Sequence, residues 1–347
     1  MAAPSPAEPA SGARLVLAYR PSGFPELGGL HRLGCEIVQR AGPDGSATLI
    51  ARGQSGAPLP GSRPTHRLRQ GDRLVVIGCN VAWAYRLVLS QRLRHPRRPV
   101  AWLPSFHDPA TVRHSRRARL AQLALKVLQR LGVTVHVQTP HEQQLLQAGR
   151  GAHCRLSSHG LPADVRRGLE QCLQPAGTAS GERSIDLLFV GRPTLQKGWG
   201  RFIALAQRSR LRCGAILPSR PVGPLAPPAG MAVLLAPERS RISQELGRSR
   251  LVLIPSDYES FGIAQLEAIA AGCVVPILGH WPLWEGFEAL QWQQLDDAAL
   301  LAACERLAAD EPRRRALALA QARHVLDQPS ARAPWLPGLL PAGGGAP

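Results

Sequence analysis

Two glutamates, Glu259 and Glu267, stand eight positions apart in the stretch DYESFGIAQLEAIAAGCVVP (257–276). This stretch follows the apolar run RLVLIPS (250–256), and its helical spacing begins at about Gly262. The first backbone amides of a helix have no partner inside the helix, so its start is a natural binding site for phosphate. One carboxylate at the turn and another within the helix are therefore placed to bind hydroxyl groups on two parts of a phosphate-containing ligand.

A second stretch that can do chemistry lies upstream, LLFVGRPTLQKGWGRFIALAQ (187–207), and contains Arg192 and Lys197. Arginine and lysine side chains bind phosphate groups, and an arginine does so through two parallel hydrogen bonds. A nucleotide-sugar has a diphosphate between a ribose diol and a sugar, which are parts that the helix start and the two glutamates are suited to bind. Each stretch alone has a plainer interpretation, as solvated helix glutamates or as surface cations beside a turn, but their combination favours a ligand site.

Together the two stretches resemble signature segments of the family 4 retaining nucleotide-sugar glycosyltransferases, which have the GT-B fold. The downstream stretch is similar to the Glu-x7-Glu signature, and the upstream one to the strand–GR–x4–KG–helix segment. The resemblance covers residues 185–280 well and the N-terminal half weakly. It implies an α/β chain with two Rossmann-like, doubly wound domains facing across a cleft. It also implies metal-independent transfer of a hexose from a UDP-, GDP- or ADP-sugar to a hydroxyl group, with retention of configuration.

The resemblance implies a role for each residue of the two stretches. Arg192 and Lys197 would neutralise the donor diphosphate, Glu259 would position the transferred sugar, and Glu267 would hold the ribose. The remaining members of the implied donor-binding set are at the turn and the helix start: Ser260, Phe261, Gly262 and Ile263.

The N-terminal half contributes three further candidates. Gly28 and Gly29 in PELGGLHRL are similar to the Gly-Gly loop of the family, which approaches the donor, although an ordinary strand-to-helix turn explains them equally well. His107 in LPSFHDP stands where the family often has a histidine near the sugar, and we add it to the catalytic set with Glu259, Lys197 and Arg192; a structural histidine is the alternative. Glu142 in TPHEQQLL is predicted to be a helix-start residue and not a ligand.

Several segments depart from the family pattern. Ser260 replaces a glycine after Glu259, the segment SSHGLP (157–162) lacks the usual Asn and Asp, and LGHWPLWEG (278–286) replaces a Gly-Gly loop followed by Glu. Packing is the expected role of the two tryptophans in this last segment, with an acceptor or base pocket as the alternative. These departures bear on the identity of the donor more than on the fold.

The elements that position these residues follow from an alternation of apolar runs with amphipathic stretches. Short Val/Leu/Ile-rich runs indicate strands that are buried on both faces of a parallel sheet, and the alternation indicates doubly wound α/β domains. The expected strands are 14–19, 73–79, 100–106, 133–139, 186–191, 215–218, 232–237, 250–256 and 274–278. The expected divisions are a tail (1–12), an N-terminal acceptor domain (13–174), a linker (175–184), a C-terminal donor domain (185–327) and a second tail (328–347).

The net charge of +18 is unevenly distributed. Residues 1–180 carry 24 basic and 9 acidic side chains, a net charge of +15, whereas residues 181–347 carry 18 and 15. The excess, concentrated in QRLRHPRR (91–98) and RHSRRARL (113–120), indicates an anionic partner of the first half. An anionic membrane surface or an acidic saccharide is favoured, and a solvated helix face is as compatible with the pattern. We do not expect nucleic acid as a partner, because no known module is present and aromatic residues for stacking are few.

Several classes of protein are disfavoured by composition. No apolar run is long enough to span a bilayer, and the first thirteen residues lack the apolar core of a secretory signal. The seven cysteines are odd in number and form no CxxC pair, so neither a disulfide framework nor a structural zinc site is expected. No metal site is expected, because His31, His107 and His280 lie on separate segments. We therefore expect a cytoplasmic protein, with peripheral contact at the inner membrane face and no permanently bound cofactor.

Other functions remain open at this stage. The departures from the family pattern motivate a catalytically inactive GT-B-like protein that binds nucleotides or carbohydrates. A sugar phosphorylase-like or epimerase-like reaction on the same fold is a second alternative. Nucleic-acid binding is the weakest of them. The acceptor of the favoured reaction is expected to be a saccharide or a lipid-linked molecule.

Overall fold

The computed structural model describes eleven ranges of the 347-residue chain: 14–19, 29–42, 46–49, 59–69, 71–77, 82–103, 116–146, 154–157, 160–174, 183–221 and 223–329. Within these ranges the chain forms two parallel β-sheets with helices packed against them, as the alternation of apolar and amphipathic stretches predicted. None of the helices described is long and apolar enough to cross a membrane. The expected tail 1–12 and most of the expected linker, 175–182, lie outside the described residues.

The first sheet has seven strands among the described residues, all parallel, in the order β3-β2-β1-β4-β5-β6-β7. Its strands are β1 (Leu15–Tyr19), β2 (Ser46–Leu49), β3 (Arg63–Thr65), β4 (Arg73–Ile77), β5 (Val100–Leu103), β6 (Thr134–Val137) and β7 (Cys154–Leu156). Its central strands are buried on both faces: Leu74 and Val76 pack in one apolar cluster, Val75 and Ile77 in another. Burial on both faces explains why residues 74–77 of β4 form a continuous apolar run in the sequence.

The second sheet has four parallel strands in the described part of the chain, in the order β10-β9-β8-β11. Its strands are β8 (Ile185–Val190), β9 (Cys213–Leu217), β10 (Ala232–Leu235) and β11 (Ser249–Val252). A second apolar core surrounds it. Both sheets therefore reverse their strand order once, between β1 and β4 and between β8 and β11, and ligands of doubly wound sheets bind beyond the carboxyl ends of the strands at such points.

Helices connect the strands and flank the two sheets. In chain order they are α1 (Gly29–Ala41), α2 (Ala82–Arg94), α3 (Arg116–Arg130), α4 (Pro140–Leu146), α5 (Ala163–Cys172), α6 (Trp199–Arg208), α7 (Arg239–Gly247), α8 (Ile263–Ala270), α9 (Asp297–Ala309) and α10 (Glu311–Asp327). Short 3₁₀ turns occupy Gly223–Leu225 and Pro282–Trp284.

The expected strand at 274–278 is not formed. Val274 makes only an isolated parallel bridge to Leu251, and Pro276 has no N–H to extend it. The side chain of Gln321 on α10 instead pairs with both backbone groups of Val275, accepting from its N–H at 3.0 Å and donating to its carbonyl at 2.7 Å. A helix side chain thus forms the two hydrogen bonds that a neighbouring strand would otherwise form with this buried backbone.

Helix α5 packs with the second core, although the sequence analysis assigned its residues to the N-terminal domain. Val165 and Leu169 are buried in the apolar cluster around the second sheet, and the helix contacts α8 and α10. The chain therefore crosses from the first sheet to the second before residue 161, ahead of the expected linker.

Gly168 on α5 permits this close packing, which leads to a stability prediction. A β-carbon at Gly168 would lie 2.9 Å from the Cβ of Ala270 and 3.0 Å from its carbonyl oxygen, whereas one at Gly247, at the end of α7, would meet nothing within 4 Å. We expect Gly168→Ala to destabilise the fold by about 1–3 kcal/mol through overpacking. The matched variant Gly247→Ala should be neutral or stabilising by up to about 1 kcal/mol, because alanine favours helix. Urea denaturation measures both, and equal effects would contradict the packing described.

Candidate functional site

The two chemistry-bearing stretches meet at the carboxyl edge of the second sheet. One follows β8 and the other follows β11, and these strands are hydrogen-bonded neighbours at the point where the strand order reverses. Two loops separated by about sixty residues of sequence are therefore adjacent because their strands are adjacent.

Two glycines allow their backbone to contact the backbone of the loop that follows β11. Gly198, with φ of 66°, lies so close to the loop after β11 that a β-carbon would be 2.0 Å from the carbonyl oxygen of Pro255. At the next residue of the same loop, a β-carbon at Gly279 would be 2.1 Å from the carbonyl oxygen of Ser256. The backbone of the loop thus lies against two glycines, because no larger residue fits at either position.

Lys197 and Glu259 form an ion pair across the two stretches. The Lys197 Nζ lies 2.5 Å from Glu259 Oε1, with 20% of the lysine side chain and 11% of the glutamate side chain exposed. Gln196 strengthens the junction, because its Nε2 donates to the carbonyl of Tyr258 at 3.1 Å and to Ser256 Oγ at 3.2 Å. The structure therefore brings together one cation and one carboxylate that the sequence predicted for the same site.

The start of helix α8 forms the third part of the site. Gly262 precedes the helix in a left-handed conformation, with φ of 67° and ψ of 49°, and as a glycine it supplies no side-chain cap. No side chain in the described part of the chain accepts from the first amides, beginning at Ile263, so they are suited to bind an anion. A β-carbon at Gly262 would lie 2.5 Å from Cζ2 of Trp281, whose Nε1 donates to the carbonyl of Phe261 at 3.2 Å.

The segment 278–286 supports the Glu259 turn. The N–H of His280 donates to the carbonyl of Asp257 at 2.8 Å, and the N–H of Glu259 donates to the carbonyl of His280 at 3.1 Å. Trp281 and Trp284 are buried and meet edge to face, with centroids 5.0 Å apart. This burial agrees with the expected packing role, and Trp281 also lines a small cavity that it shares with Glu259 and Gln265.

Arg192 stands apart from the ion pair. It follows β8 by two residues, and its side chain is exposed. Its side chain has neither an ion pair nor a hydrogen bond with any residue that the structure describes. It lies at the same sheet edge as Lys197, at the position from which the sequence analysis expected it to meet a diphosphate.

Glu267 on α8 is held by arginines that the sequence analysis did not single out. Arg239, at the start of α7, donates to both carboxylate oxygens, at 2.9 Å and 2.7 Å. Arg32, from α1 of the first domain, pairs with Glu267 and also with Asp164 on α5. Only 9% of the Glu267 side chain is exposed. This network joins the two domains across the cleft.

The positions of both arginines in the sequence could have identified them as candidate site residues, because each lies in the first turn of a helix that follows a strand. Arg32 stands three residues after the Gly28–Gly29 pair, in the first turn of the helix that follows β1, and Arg239 opens the helix that follows β10. Residues at these positions lie at the carboxyl edge of their sheets, which is where doubly wound folds bind ligands.

A second contact between the domains surrounds Glu142 on α4. Thr139 Oγ1 accepts from the N–H of Glu142 at 3.1 Å, and Glu142 Oε2 accepts from the N–H of Thr139 at 3.3 Å, which is a capping box. The expectation that Glu142 is a helix-start residue is therefore correct. Its carboxyl group also bonds the hydroxyls of Ser260 and Tyr258 in the second domain, and burial raises its pKa. Ser260, the departure from the family pattern, is thus a partner of Glu142.

The other sequence candidates are placed as follows. Gly28 and His107 lie outside the described residues, and Gly29 is the first residue of α1. Phe261 is buried in the second core. Among the residues that the structure describes, no group of three or more His, Cys, Asp or Glu side chains is arranged to hold a metal ion.

Comparison with solved structures identifies the fold. The chain is similar to HepE of Anabaena, solved with UDP and glucose, with a TM-score of 0.57 and 15% identity over 90% of this chain and 96% of that one. It is also similar to sucrose-phosphate synthase of Thermosynechococcus elongatus, with a TM-score of 0.56 and 16% identity over 90% and 94% of the two chains. A third similar structure is WaaG, a glycosyltransferase involved in lipopolysaccharide biosynthesis, with a TM-score of 0.56 and 15% identity over 91% and 96%.

At identities this low, the similarity establishes the architecture. The chain has the GT-B fold that the sequence analysis predicted, with two Rossmann-like domains. No protein-family model matches the sequence, and no curated protein matches it.

The burial of Glu142 leads to a prediction about pH. Because burial raises its pKa, the protonated form stabilises the fold below the pKa of the unfolded chain, and this stabilisation is lost as pH rises through the pKa of the folded state. Glu142→Gln cannot titrate at this position. The free energy of unfolding of the parent minus that of Glu142→Gln should therefore fall with rising pH, by about 1.4 kcal/mol for each unit by which folding raises the pKa.

Urea denaturation of both proteins from mildly acidic to neutral pH measures this difference. The exposed residue Glu170 provides the control Glu170→Gln, which removes one negative charge away from the cleft. A difference that stays level or grows with pH would show that the buried carboxyl group does not behave as described.

Proposed function

We propose that this chain is a glycosyltransferase that moves a sugar from a nucleoside-diphosphate sugar to a hydroxyl acceptor. The observation that supports it most directly is the 2.5 Å pair of Lys197 and Glu259 beside the uncapped start of α8. Two motifs from separate parts of the sequence supply a cation, a carboxylate and free amides at one edge of one sheet. The similar structure solved with UDP and glucose supports the same type of ligand.

The cations and the helix start would act on the leaving group. As the bond between the anomeric carbon and the diphosphate breaks, negative charge grows on the phosphate oxygens. Lys197, Arg192 and the first amides of α8 are positive groups at the carboxyl edge of the sheet, and groups fixed in advance stabilise this charge without reorganising. We therefore propose metal-independent catalysis, in which these groups neutralise the diphosphate. Lys197 would exchange part of its contact with Glu259 for the phosphate.

The carboxylates would act on hydroxyl groups. Glu259, with the backbone around Ser260, Phe261 and Gly262, would accept hydrogen bonds from the transferred hexose. Glu267, one turn into α8, would accept from the ribose diol. An ionised glutamate accepts hydrogen bonds and donates none, so both glutamates are suited to the O–H groups of a sugar. Gly28, Gly29 and His107 would complete the site from the first domain, as the resemblance to family 4 implies.

The resemblance to family 4 also supports transfer with retention of configuration, in which the departing phosphate accepts the proton of the acceptor hydroxyl. UDP-, GDP- and ADP-sugars are the candidate donors, and structures of HepE with UDP and with UDP-glucose favour UDP. The acceptor is proposed to be a saccharide or a lipid-linked molecule, handled in the cytoplasm, with peripheral contact between the basic first half and an anionic membrane.

A second function, a catalytically inactive binding protein of the same fold, is supported by one contact. The carboxylate of Glu267 is held by Arg32 and Arg239, so a ribose would have to compete with two cations. If this function is correct, nucleotides bind but no donor is consumed. Release of nucleoside diphosphate from a nucleotide-sugar, measured with saccharide acceptors, separates the two functions.

Nucleotide binding is tested first by melting-temperature shifts with UDP, GDP, ADP, CMP and their sugars. A ligand at about 100 times its dissociation constant adds about 2.7 kcal/mol, which raises the melting temperature by several degrees. We expect Arg192→Ala to reduce the shift and to lower kcat/KM roughly 10- to 1000-fold, because an exposed cation aimed at the diphosphate is lost. Arg208→Ala, at another exposed arginine of the same domain, is the control. Equal behaviour of the two variants would remove Arg192 from the site.

The role of Glu267 is tested by deleting one hydroxyl group from the ligand. The parent protein should bind the preferred nucleoside diphosphate about 10- to 100-fold more tightly than its 2′-deoxy form, because a hydrogen bond to a charged group is lost. Glu267→Gln should lose most of this discrimination. Asp164→Asn is the matched control, since it also removes a partner of Arg32 but lies outside the motif. Isothermal titration calorimetry gives one affinity ratio for each of the three proteins, and unchanged discrimination in Glu267→Gln would place the ribose elsewhere.

A further inference from the structure

Helices α2 and α3 expose an unusual number of apolar side chains. Eight large apolar side chains are exposed among the described residues, and five of them belong to these two helices, with exposed fractions of 40% to 69%. They are Leu89, Leu93, Leu120, Leu123 and Val127. We call the surface that they form the α2–α3 face.

The five side chains lie on the outer faces of adjacent helices. On α3, Leu120, Leu123 and Val127 are spaced by three and four residues and share one side of the helix, while Leu125 and Leu128 point into the core. The two helices touch, because the hydroxyl of Tyr85 donates to the carbonyl of Ala121 at 3.1 Å. Both connect successive parallel strands of the first sheet, so they form one layer on the same side of it.

The charge around these apolar groups has a single sign. Neither helix contains an acidic residue, whereas α2 contains three arginines and α3 contains four arginines and Lys126. From residue 82 to residue 130 the chain has eleven basic side chains and one acidic side chain, Asp108. Arg116, Arg119 and Arg130 on α3 are exposed.

We propose that the α2–α3 face docks on an anionic lipid bilayer. Apolar side chains that project from a basic helix surface enter the boundary between headgroups and acyl chains, while arginines next to them contact the lipid phosphates. A second copy of the chain would bring two positive faces together, which electrostatic repulsion opposes. A nucleic acid would use the arginines but leave the five apolar side chains without a partner.

The amino-terminal ends of the two helices lie at the edge of the first sheet that faces the cleft. Helices α2 and α3 begin after the carboxyl ends of β4 and β5, the edge at which a doubly wound sheet binds its ligand. The most basic part of α3, at Arg116, Arg117 and Arg119, is its first turn. The inference that a lipid-borne acceptor passes from the bilayer to the cleft rests on the proposed function. Docking on the bilayer does not depend on that function.

Sedimentation of the whole chain with vesicles tests docking. We expect the protein to bind vesicles of phosphatidylcholine with about one quarter phosphatidylglycerol, to bind pure phosphatidylcholine weakly, and to lose binding as salt screens the charges. Arg116→Gln, Arg119→Gln and Arg130→Gln combined should reduce partitioning roughly 10- to 100-fold. The matched control replaces three exposed arginines of the second half by glutamine: Arg208, Arg313 and Arg323. It removes the same charge and should retain binding.

The apolar contribution is tested separately. Leu123→Ser should weaken vesicle binding several-fold through lost burial of its side chain, whereas Leu156→Ser, at an exposed leucine of the same domain outside the face, should not. Equal losses in the two arginine triples would show that bulk charge alone acts, and would overturn the proposal. It is also overturned if sedimentation velocity reveals a dimer that Leu123→Ser dissociates, or if a single-stranded RNA binds more tightly than the vesicles. Vesicle binding without nucleotide-sugar turnover would leave docking supported and the proposed function wrong.

Discussion

Backbone contact at two glycines is the constraint on which the candidate site depends. The loop after β11 lies against Gly198 and Gly279, and a β-carbon at either position would overlap a carbonyl oxygen of that loop. This contact brings Lys197 to Glu259 and fixes the direction in which α8 begins. Because the contact joins backbones, it positions the charged groups more rigidly than side-chain packing alone.

Two polar contacts join the described parts of the two domains at the cleft. Arg32 reaches Glu267 from the first domain, and Glu142 meets Ser260 from the same side. Polar contacts of this kind exchange readily with water and with polar ligands, which is typical of domains that move relative to each other. In the proposed function the groups that join the domains are also groups that bind the donor, so closure of the cleft and binding would be coupled through Glu267.

The distribution of charge separates two tasks along the chain. In the second half, where basic and acidic side chains nearly balance, arginines are used in specific pairs such as Arg239 with Glu267. In the first half, α2 and α3 carry arginines without any acidic residue on the same helices. A few positive groups at the cleft are suited to a small diphosphate. Many positive side chains around exposed apolar ones are suited to an extended anionic surface.

The sequence by itself determined the two doubly wound sheets, because strands buried on both faces must be continuously apolar, as in Leu187–Val190. It also located the Lys197 and Glu259 stretches, since their spacing is local. It missed the outer strands β2, β3 and β7, which are short and partly polar, and it placed a strand at 274–278 where Gln321 takes over the pairing. Only the tertiary structure decided the partners of Glu267, because Arg32 stands 235 positions away and no local pattern encodes which surfaces of the two domains meet in the folded chain.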